Sequence, residues 1–259
     1  MAHNIIFLLK RLTIDQWSAI DAQYKLQKGY KVILSLIVIT ILLVIQRYYG
    51  QPKNFTELFG DAVSNFPFPR IWSRLYATSM YLLLYMLIPY LYIRLVLHER
   101  IQEHGFTLKG AGKYIRLYFI MILAVLPVIV IASFTEGFSR HYPLYADAGS
   151  SWWDLLIWET AYNLHFVALE FFFRGFMLFA LVRYFGYYAI FIMVIPYTMV
   201  HFGKPIAETI GSILAGIALG TLSLRTRSIF GGVFIHITAA IGMDIMALLQ
   251  KGLLQNLFR

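Results

Sequence analysis

The chain of 259 residues is 59% hydrophobic and 14% charged, with a mean hydropathy of +0.67, which excludes an ordinary soluble domain and predicts a protein of the lipid bilayer. Its net charge of +9 would suit a nucleic-acid partner only if the basic residues formed one surface, but they lie in short segments beside apolar runs. We therefore expect no nucleic-acid partner. The absence of cysteine excludes disulfides, thiolate metal sites and a cysteine nucleophile.

Residues 1–31 alternate apolar and charged positions, which predicts an amphipathic helix at the membrane interface; the alternative is a disordered tail. Beyond them, apolar runs of about 20 residues predict an all-α polytopic transmembrane helical bundle with about seven to eight spans. These runs begin near Val32, Trp72, Tyr114, Trp152, Tyr187, Pro205 and Ile229. Prolines and glycines predict loops over residues 50–70 and 136–150.

The division of basic residues between alternate loops predicts how the chain lies in the membrane. The larger set of lysines and arginines precedes the first span and recurs in every second loop, which places the N-terminus in the cytoplasm. An eighth span would reverse the assignment of the later loops. We expect a multi-pass protein of the bacterial inner membrane, with an N-terminal part, 1–151, that holds the interfacial segment and first spans, and a C-terminal core, 152–259.

Polar residues in the span from Trp152 lie close to one helical face, because steps of four, seven and four residues nearly complete whole turns. They are Glu159, Asn163, Glu170 and Arg174. Glu170 and Arg174 are spaced to form an ion pair, which lowers the cost of charge in lipid. The pair either fixes the helix structurally, or Arg174 orients Glu170 for catalysis or metal binding. Asn163 is a candidate auxiliary residue.

Two histidines follow in the next helices. His201 ends one predicted span, where a lone histidine is usually a cap, and Glu208 lies in the first turn of the next, where a carboxylate complements the helix dipole. His236 lies inside the final span, two turns before Asp244. Two imidazoles and one carboxylate match the three protein ligands of an open catalytic zinc site, so Glu170, His201 and His236 are candidate ligands of Zn²⁺.

Small residues recur at every fourth position of the helix that begins at Pro205. Ser212, Gly216 and Gly220 predict a face that packs closely on a neighbouring helix. The chain shows no internal repeat, which disfavours a transporter built from duplicated halves.

Three sequence blocks resemble the CPBP family, the CAAX-protease and bacteriocin-processing intramembrane metalloproteases that include the Rce1-like enzymes. LEFFFRG, at residues 169–175, is similar to the EExxxR motif of that family. YTMVHFGKP, at 197–205, is similar to its FxxxH motif with Tyr197 in the aromatic position, and SIFGGVFIHITAA, at 228–240, to its HxxxN motif. The resemblance covers about residues 152–249, within the C-terminal core of 152–259, which is therefore CPBP-like.

This resemblance implies an all-helical fold with a polar cavity open to the membrane, and an endopeptidase that cleaves a membrane-embedded peptide or a lipidated protein. The family's glutamate and histidines activate a water for peptide hydrolysis, and its asparagine helps to stabilise the oxyanion. By position, Glu170 matches the second glutamate, Arg174 the arginine, and His201 and His236 the two histidines.

The chain departs from the family pattern at two positions. Leu169 replaces the first glutamate, which serves as general base, and Ala240 replaces the asparagine. A leucine cannot accept a proton and an alanine side chain cannot donate to an oxyanion. Either Glu170 takes over as base, or Glu208 or Asp244 substitutes as an auxiliary group, or the site no longer hydrolyses peptides.

The sequence thus supports an intramembrane endopeptidase in which Glu170 positions or deprotonates the water and Arg174 fixes Glu170. His201 and His236 hold a metal ion or hydrogen-bond the water. The alternative is a non-catalytic relative that binds a membrane peptide or lipid in a chaperone or immunity role, which the two departures motivate. A transporter or channel is disfavoured, because the ionisable residues cluster in the C-terminal helices.

Overall fold

The computed structural model describes residues 7, 10–11, 13–24, 29–63, 66 and 69–258, and every regular element in this part of the chain is helical. We number these helices in chain order. They are α1 Ile14–Gln23, α2 Lys31–Tyr49, α3 Pro52–Val63, α4 Arg70–Leu97, α5 Ala111–Ser133, α6 Glu136–His141, α7 Trp152–Phe185, α8 Tyr188–Met199, α9 Ile206–Thr226 and α10 Phe230–Gln250. The predicted all-α membrane bundle is confirmed.

Six helices of the described chain are long and apolar enough to cross a membrane, namely α2, α4, α5, α7, α9 and α10. The apolar run predicted near Tyr187 forms α8, but its 12 residues extend only about 18 Å, less than the hydrocarbon core of about 30 Å. This helix ends at Met199, and the chain turns through Gly203 at a positive φ of 94°. The described residues therefore contain six apolar helices of spanning length, fewer than the seven to eight spans predicted.

The two segments predicted as loops each contain a helix. Within 50–70 the chain forms α3, which begins at Pro52. Proline is tolerated at the first helical position because the N–H that it lacks would have no partner within the helix there. Within 136–150 the chain forms the short α6, where the Thr135 side chain accepts a hydrogen bond from the Phe138 N–H. Pro67, one of the predicted breakers, lies outside the described residues.

Within the described part of residues 1–31 the predicted helix is present as α1, which packs on the C-terminal half of the chain; its position at the membrane interface stays a prediction. Trp17 stacks on Tyr187 with a centroid distance of 5.5 Å, and Ile20 is fully buried. The Asp21 carboxylate accepts a hydrogen bond of 2.8 Å from the Tyr187 N–H, at the start of α8. Residues 1–6, 8–9, 12 and 25–28 lie outside the described residues.

Helix α7 forms the centre of the bundle. Its middle, Phe171–Met177, is a π-helical stretch in which every side chain is buried, a feature often found at functional sites. The predicted small-residue face packs α9 against α8, because a Cβ added to Gly216 would lie 2.9 Å from Val194, and one added to Gly220 would lie 3.0 Å from Met193. α8 and α10 are thereby held next to α7, where the polar site lies.

Several helix ends meet at one end of the bundle. The Lys31 Nζ, where α2 begins, donates to the carbonyl of Leu97, where α4 ends, at 3.2 Å. The Ser228 hydroxyl, between α9 and α10, donates to the Thr107 carbonyl at 2.6 Å. Basic residues of the larger set lie at this end, among them Lys31, Arg94 and Arg183, whose side chains contact Leu97 or Glu99. Lys25 and Lys28, which precede the first span, lie outside the described residues. Which side of the membrane it faces stays a prediction, as does the domain division at residue 151.

Candidate active site

A buried ion pair lies in the middle of α7. The Oε1 of Glu170 is 2.9 Å from the Nη1 of Arg174, one helical turn further on, and both side chains are fully buried. The guanidinium nitrogens have no well-aligned hydrogen-bond partner among the described residues, so electrostatic attraction dominates the contact. The i, i+4 pairing expected from the sequence is therefore present.

His236 of α10 joins this pair from the opposite side. Its Nδ1–H donates a hydrogen bond of 2.6 Å to the Oε1 of Glu170, because an ionised carboxylate can only accept. With the proton on Nδ1, the neutral imidazole has a lone pair on Nε2, which lies 3.1 Å from the hydroxyl of Tyr197. Phe166 stacks on the imidazole at a centroid distance of 5.1 Å. The ring is therefore fixed in orientation and tautomer.

Tyr197 of α8 connects the other members of the site. Its hydroxyl donates to the His236 Nε2, and its ring lies under the guanidinium of Arg174, 3.7 Å from the ring centroid. Its carbonyl accepts a hydrogen bond of 2.9 Å from the Nδ1–H of His201. The sequence identified Tyr197 only as the aromatic residue of a motif and missed its hydroxyl. The signal was a tyrosine in a position where the motif has phenylalanine.

His201 lies just beyond the end of α8 and is 8% exposed. Because the Tyr197 carbonyl holds its Nδ1–H, the neutral ring keeps its acceptor lone pair on Nε2. Burial, assisted by the positive charge of Lys204, lowers the pKa of His201 to about 3. The ring is therefore neutral at physiological pH and serves as a hydrogen-bond acceptor.

The auxiliary candidates lie outside this group of contacts. The Glu208 carboxylate accepts hydrogen bonds of 2.7 Å from both the Tyr142 hydroxyl and the Lys204 Nζ, so each of its oxygens has a partner. Asp244 accepts from the Trp158 indole N–H at 2.6 Å. It follows His236 by eight residues, about 12 Å along α10, and its Oδ1 has no well-aligned hydrogen-bond donor among the described residues.

Asn163 and Glu159, on the polar face predicted for α7, also lie apart from the Glu170 contacts. Each has a side-chain oxygen, Oδ1 of Asn163 and Oε2 of Glu159, that is buried without a hydrogen-bond partner in the described part of the chain. Glu159 lies against Asp244, so these residues form a second polar group toward the other end of α7. The predicted stripe is therefore divided into two groups.

The two departures from the motif pattern pack as apolar residues. Leu169 is 5% exposed and belongs to the main hydrophobic core with Phe172 and Phe173. Ala240 is 3% exposed and packs in a smaller cluster with Phe166. Neither supplies a polar atom to the site.

The candidate zinc ligands are not arranged as a ligand set. Within the described chain, no three histidine, aspartate or glutamate side chains are close enough together to hold one metal ion. Glu170 Oε1 instead contacts Arg174 and His236, and His201 Nδ1 contacts a carbonyl. The residues in this arrangement do not fit a three-ligand zinc site, so we derive no step through a metal, and zinc binding stays a prediction.

Gly232 makes room for the Glu170 carboxylate. A Cβ at this position would lie 2.3 Å from the Glu170 Oε2, an oxygen that is buried and has no hydrogen-bond partner among the described residues. We therefore expect Gly232→Ala to displace Glu170 and to lower the free energy of unfolding by about 1–3 kcal/mol. Thermal unfolding of the purified protein in detergent measures this change.

Gly242, ten residues further along α10, is the matched control for that substitution. Its added Cβ would make ordinary contacts, the nearest at 3.5 Å to Leu126. Alanine is the better helix former, so Gly242→Ala is expected to leave stability unchanged or raise it by up to about 1 kcal/mol. Equal unfolding temperatures for the two variants would show that Gly232 makes no room for Glu170.

The fold and site define a class, a multi-pass helical membrane protein with a buried carboxylate, arginine, imidazole and phenol in contact. Residues 150–241 match the family model described as type II CAAX prenyl endopeptidase Rce1-like. The matched segment contains all four site residues identified in the sequence, together with Tyr197. The match confirms the resemblance to the CPBP family over this segment. Comparisons with curated proteins and with solved structures found no match.

Proposed function

We propose that this protein is an intramembrane endopeptidase of the CAAX-protease type, which hydrolyses a peptide bond of a membrane-associated peptide or a lipidated protein. The observation that carries the proposal is the chain of contacts from Arg174 through Glu170 and His236 to Tyr197. Glu170 and Arg174 lie in the middle of α7, and all four residues lie within the segment that matches the endopeptidase family. We further propose that the basic end of the bundle faces the cytoplasm of a bacterial inner membrane.

In this proposal Glu170 orients the base and does not act as the base itself. Its Oε1 already contacts Arg174 and His236, and the carboxyl group is fully buried. The negative charge of Glu170 stabilises the imidazolium that forms when His236 takes a proton, the role of the carboxylate in a hydrolase triad. Arg174 keeps Glu170 ionised and in place.

His236 is the general base and acid. A water replaces the Tyr197 hydroxyl at Nε2 of His236, gives one proton to that nitrogen, and its oxygen attacks the substrate carbonyl carbon. The same proton then passes to the leaving nitrogen as the C–N bond breaks. The neutral His201 accepts a hydrogen bond at Nε2 from the other O–H of the water. This hydrogen bond holds the water in position.

Cleavage assays on the purified chain in lipid vesicles, with a library of membrane-delivered peptides, test this function. We expect the wild type to cleave a subset of the library and His201→Ala to lose that cleavage. His98→Asn is the control, since His98 is exposed and lies outside the site. Equal turnover by the wild type and His201→Ala would contradict the role of His201, and no cleavage by the wild type would favour a protein that only binds its peptide.

Once water has displaced the Tyr197 hydroxyl from His236, this hydroxyl can donate a hydrogen bond to the developing oxyanion. Tyr197→Phe keeps the ring under Arg174 and removes only the hydroxyl. We expect kcat to fall about 10²–10³-fold with little change in KM, as for the loss of one oxyanion donor. Peptide turnover over a range of substrate concentrations separates the two constants.

Tyr92→Phe is the matched control for the loss of the Tyr197 hydroxyl. Tyr92 is also a buried tyrosine with one side-chain hydrogen bond, 3.2 Å to Ser35, but it lies outside the site. Removing the Tyr92 hydroxyl is expected to lower the free energy of unfolding by about 0.5–1.5 kcal/mol, the contribution of that one hydrogen bond. If both variants kept wild-type kcat, the Tyr197 hydroxyl would have no part in the reaction.

A further inference from the structure

A small polar cavity lies where α2 begins and where α4 and α7 end. Its volume is about 140 Å³, and its polar wall is formed by Lys31, Ser35, Glu99, Arg183 and Tyr184. We call it the interface cavity. It lies at the basic end of the bundle, away from the Glu170 site, and has no role in the proposed hydrolysis.

The charges around the interface cavity do not balance. Glu99 is its one carboxylate, and it is already paired with Arg183 and accepts a hydrogen bond of 2.7 Å from the His104 Nε2–H. Lys31 has no carboxylate partner within the described residues, because its Nζ donates only to the Leu97 carbonyl. The cavity therefore has one cation in excess, half-buried beside apolar helices, where a charge without a counter-ion is costly.

The depth of the cavity indicates what supplies the missing negative charge. Lys31 is the first residue of α2 and Leu97 the last of α4, so the cavity lies at the level where a spanning helix leaves the hydrocarbon. Lipid phosphates lie at that level, and basic cavities between membrane helices bind anionic head groups. Leu34 and Leu95, within one turn on the same helices, are 39% and 67% exposed and offer apolar surface for acyl chains.

We propose that the interface cavity binds a phosphate group, supplied by an anionic phospholipid, through Lys31 and Arg183. The Lys31 ammonium neutralises the phosphate, and the Arg183 guanidinium, held by Glu99, presents its remaining N–H donors. Tyr184 lines the same cavity, and its phenol can add a neutral donor. The bound lipid would join the ends of α2, α4 and α7.

Binding to the full chain in detergent tests this site, with short-chain phosphatidylglycerol, inorganic phosphate and diacylglycerol of the same chain length as the probes. We expect phosphatidylglycerol to raise the unfolding temperature and to remain bound in native mass spectrometry, and diacylglycerol to do neither. Lys31→Gln is expected to weaken phosphatidylglycerol binding at least about tenfold. Lys109→Gln, an exposed lysine outside the cavity, is expected to bind as the wild type does.

The probes also distinguish the sources of phosphate. If inorganic phosphate raised the unfolding temperature of the wild type but not that of Lys31→Gln, this result would support the phosphate site and show that the free anion is sufficient for binding. Phosphatidylglycerol binding that is unchanged in Lys31→Gln, or diacylglycerol binding of equal strength, would overturn the proposal. Lys31→Met, which keeps the apolar stem of the side chain, replaces Lys31→Gln if the latter does not fold.

Discussion

Replacing Glu170 by alanine is expected to lower the free energy of unfolding by about 3–5 kcal/mol, because the substitution leaves the Arg174 charge buried without its partner. Both side chains are fully buried, and the nearest aromatic contact of Arg174, the Tyr197 ring, offsets only part of that cost. The loss is measured by thermal unfolding of the purified protein in detergent. It would be one of the largest single effects in the chain.

An exposed pair of the same spacing serves as the control for the Glu170 substitution. Glu136 and Arg140 also form an i, i+4 ion pair, but their side chains are 77% and 76% exposed. Glu136→Ala is therefore expected to change stability by at most about 1 kcal/mol. Replacing Glu170 and Arg174 together by methionine is expected to restore most of the loss. If Glu170→Ala had the same free energy of unfolding as the wild type, Glu170 would not be the partner that the buried Arg174 charge requires.

Replacing His236 by alanine is expected to lower peptide turnover by about 10²–10⁴-fold, the usual contribution of a general acid–base group. The Glu170–Arg174 pair remains in this variant, so its unfolding temperature should stay closer to that of the wild type than that of Glu170→Ala. Turnover of a peptide found in the library screen provides the measurement, with the unfolding temperature recorded beside it.

Thr238→Ala is the control on the same helix. The Thr238 hydroxyl is exposed and bonds only to the Phe234 carbonyl of its own helix, so turnover should not change. A His236→Ala protein that is folded and retains wild-type turnover would remove His236 from the mechanism. The base would then have to be sought among the other residues of the site.

The features predicted correctly from the sequence depend on local spacing. The beginnings of the long apolar helices follow from hydropathy, because a bilayer requires about 20 apolar residues in a row. The Glu170–Arg174 pair follows from the helical repeat, because residues four apart are neighbours on one helix. The close packing of α8 on α9 at Gly216 follows for the same reason.

The features that could not be predicted depend on packing between helices. His236 and Glu170 are 66 residues apart in the sequence, and Tyr197 and His236 are 39 apart. Local periodicity therefore predicts neither of these hydrogen bonds. The members of the site could therefore be predicted from the sequence, but not the hydroxyl that joins them. Asp244, a candidate auxiliary residue, accepts a hydrogen bond from Trp158 of α7, a contact that local periodicity does not predict either.

The errors at segment boundaries have a local cause as well. Pro52, within a segment predicted as a loop, begins α3, because proline is tolerated in the first helical turn. The run from Tyr187 is apolar enough to predict a span, but α8 is only 12 residues long and ends before His201. The hydrogen bond from the His201 Nδ1–H to the Tyr197 carbonyl, four residues earlier, is a local contact at the end of this helix.

The central claim, that His236 and Glu170 activate water to cleave a peptide within the membrane, is tested most directly by hydrolysis in isotopically labelled water. The purified chain in lipid vesicles is given the best peptide of the library, and the new carboxyl group is analysed by mass spectrometry. We predict product from the wild type that carries oxygen from the labelled water, and about 10²–10⁴-fold less of it from His236→Ala in the same time. Equal labelled product from the folded His236→Ala variant, or none from the wild type with any peptide, would contradict the claim.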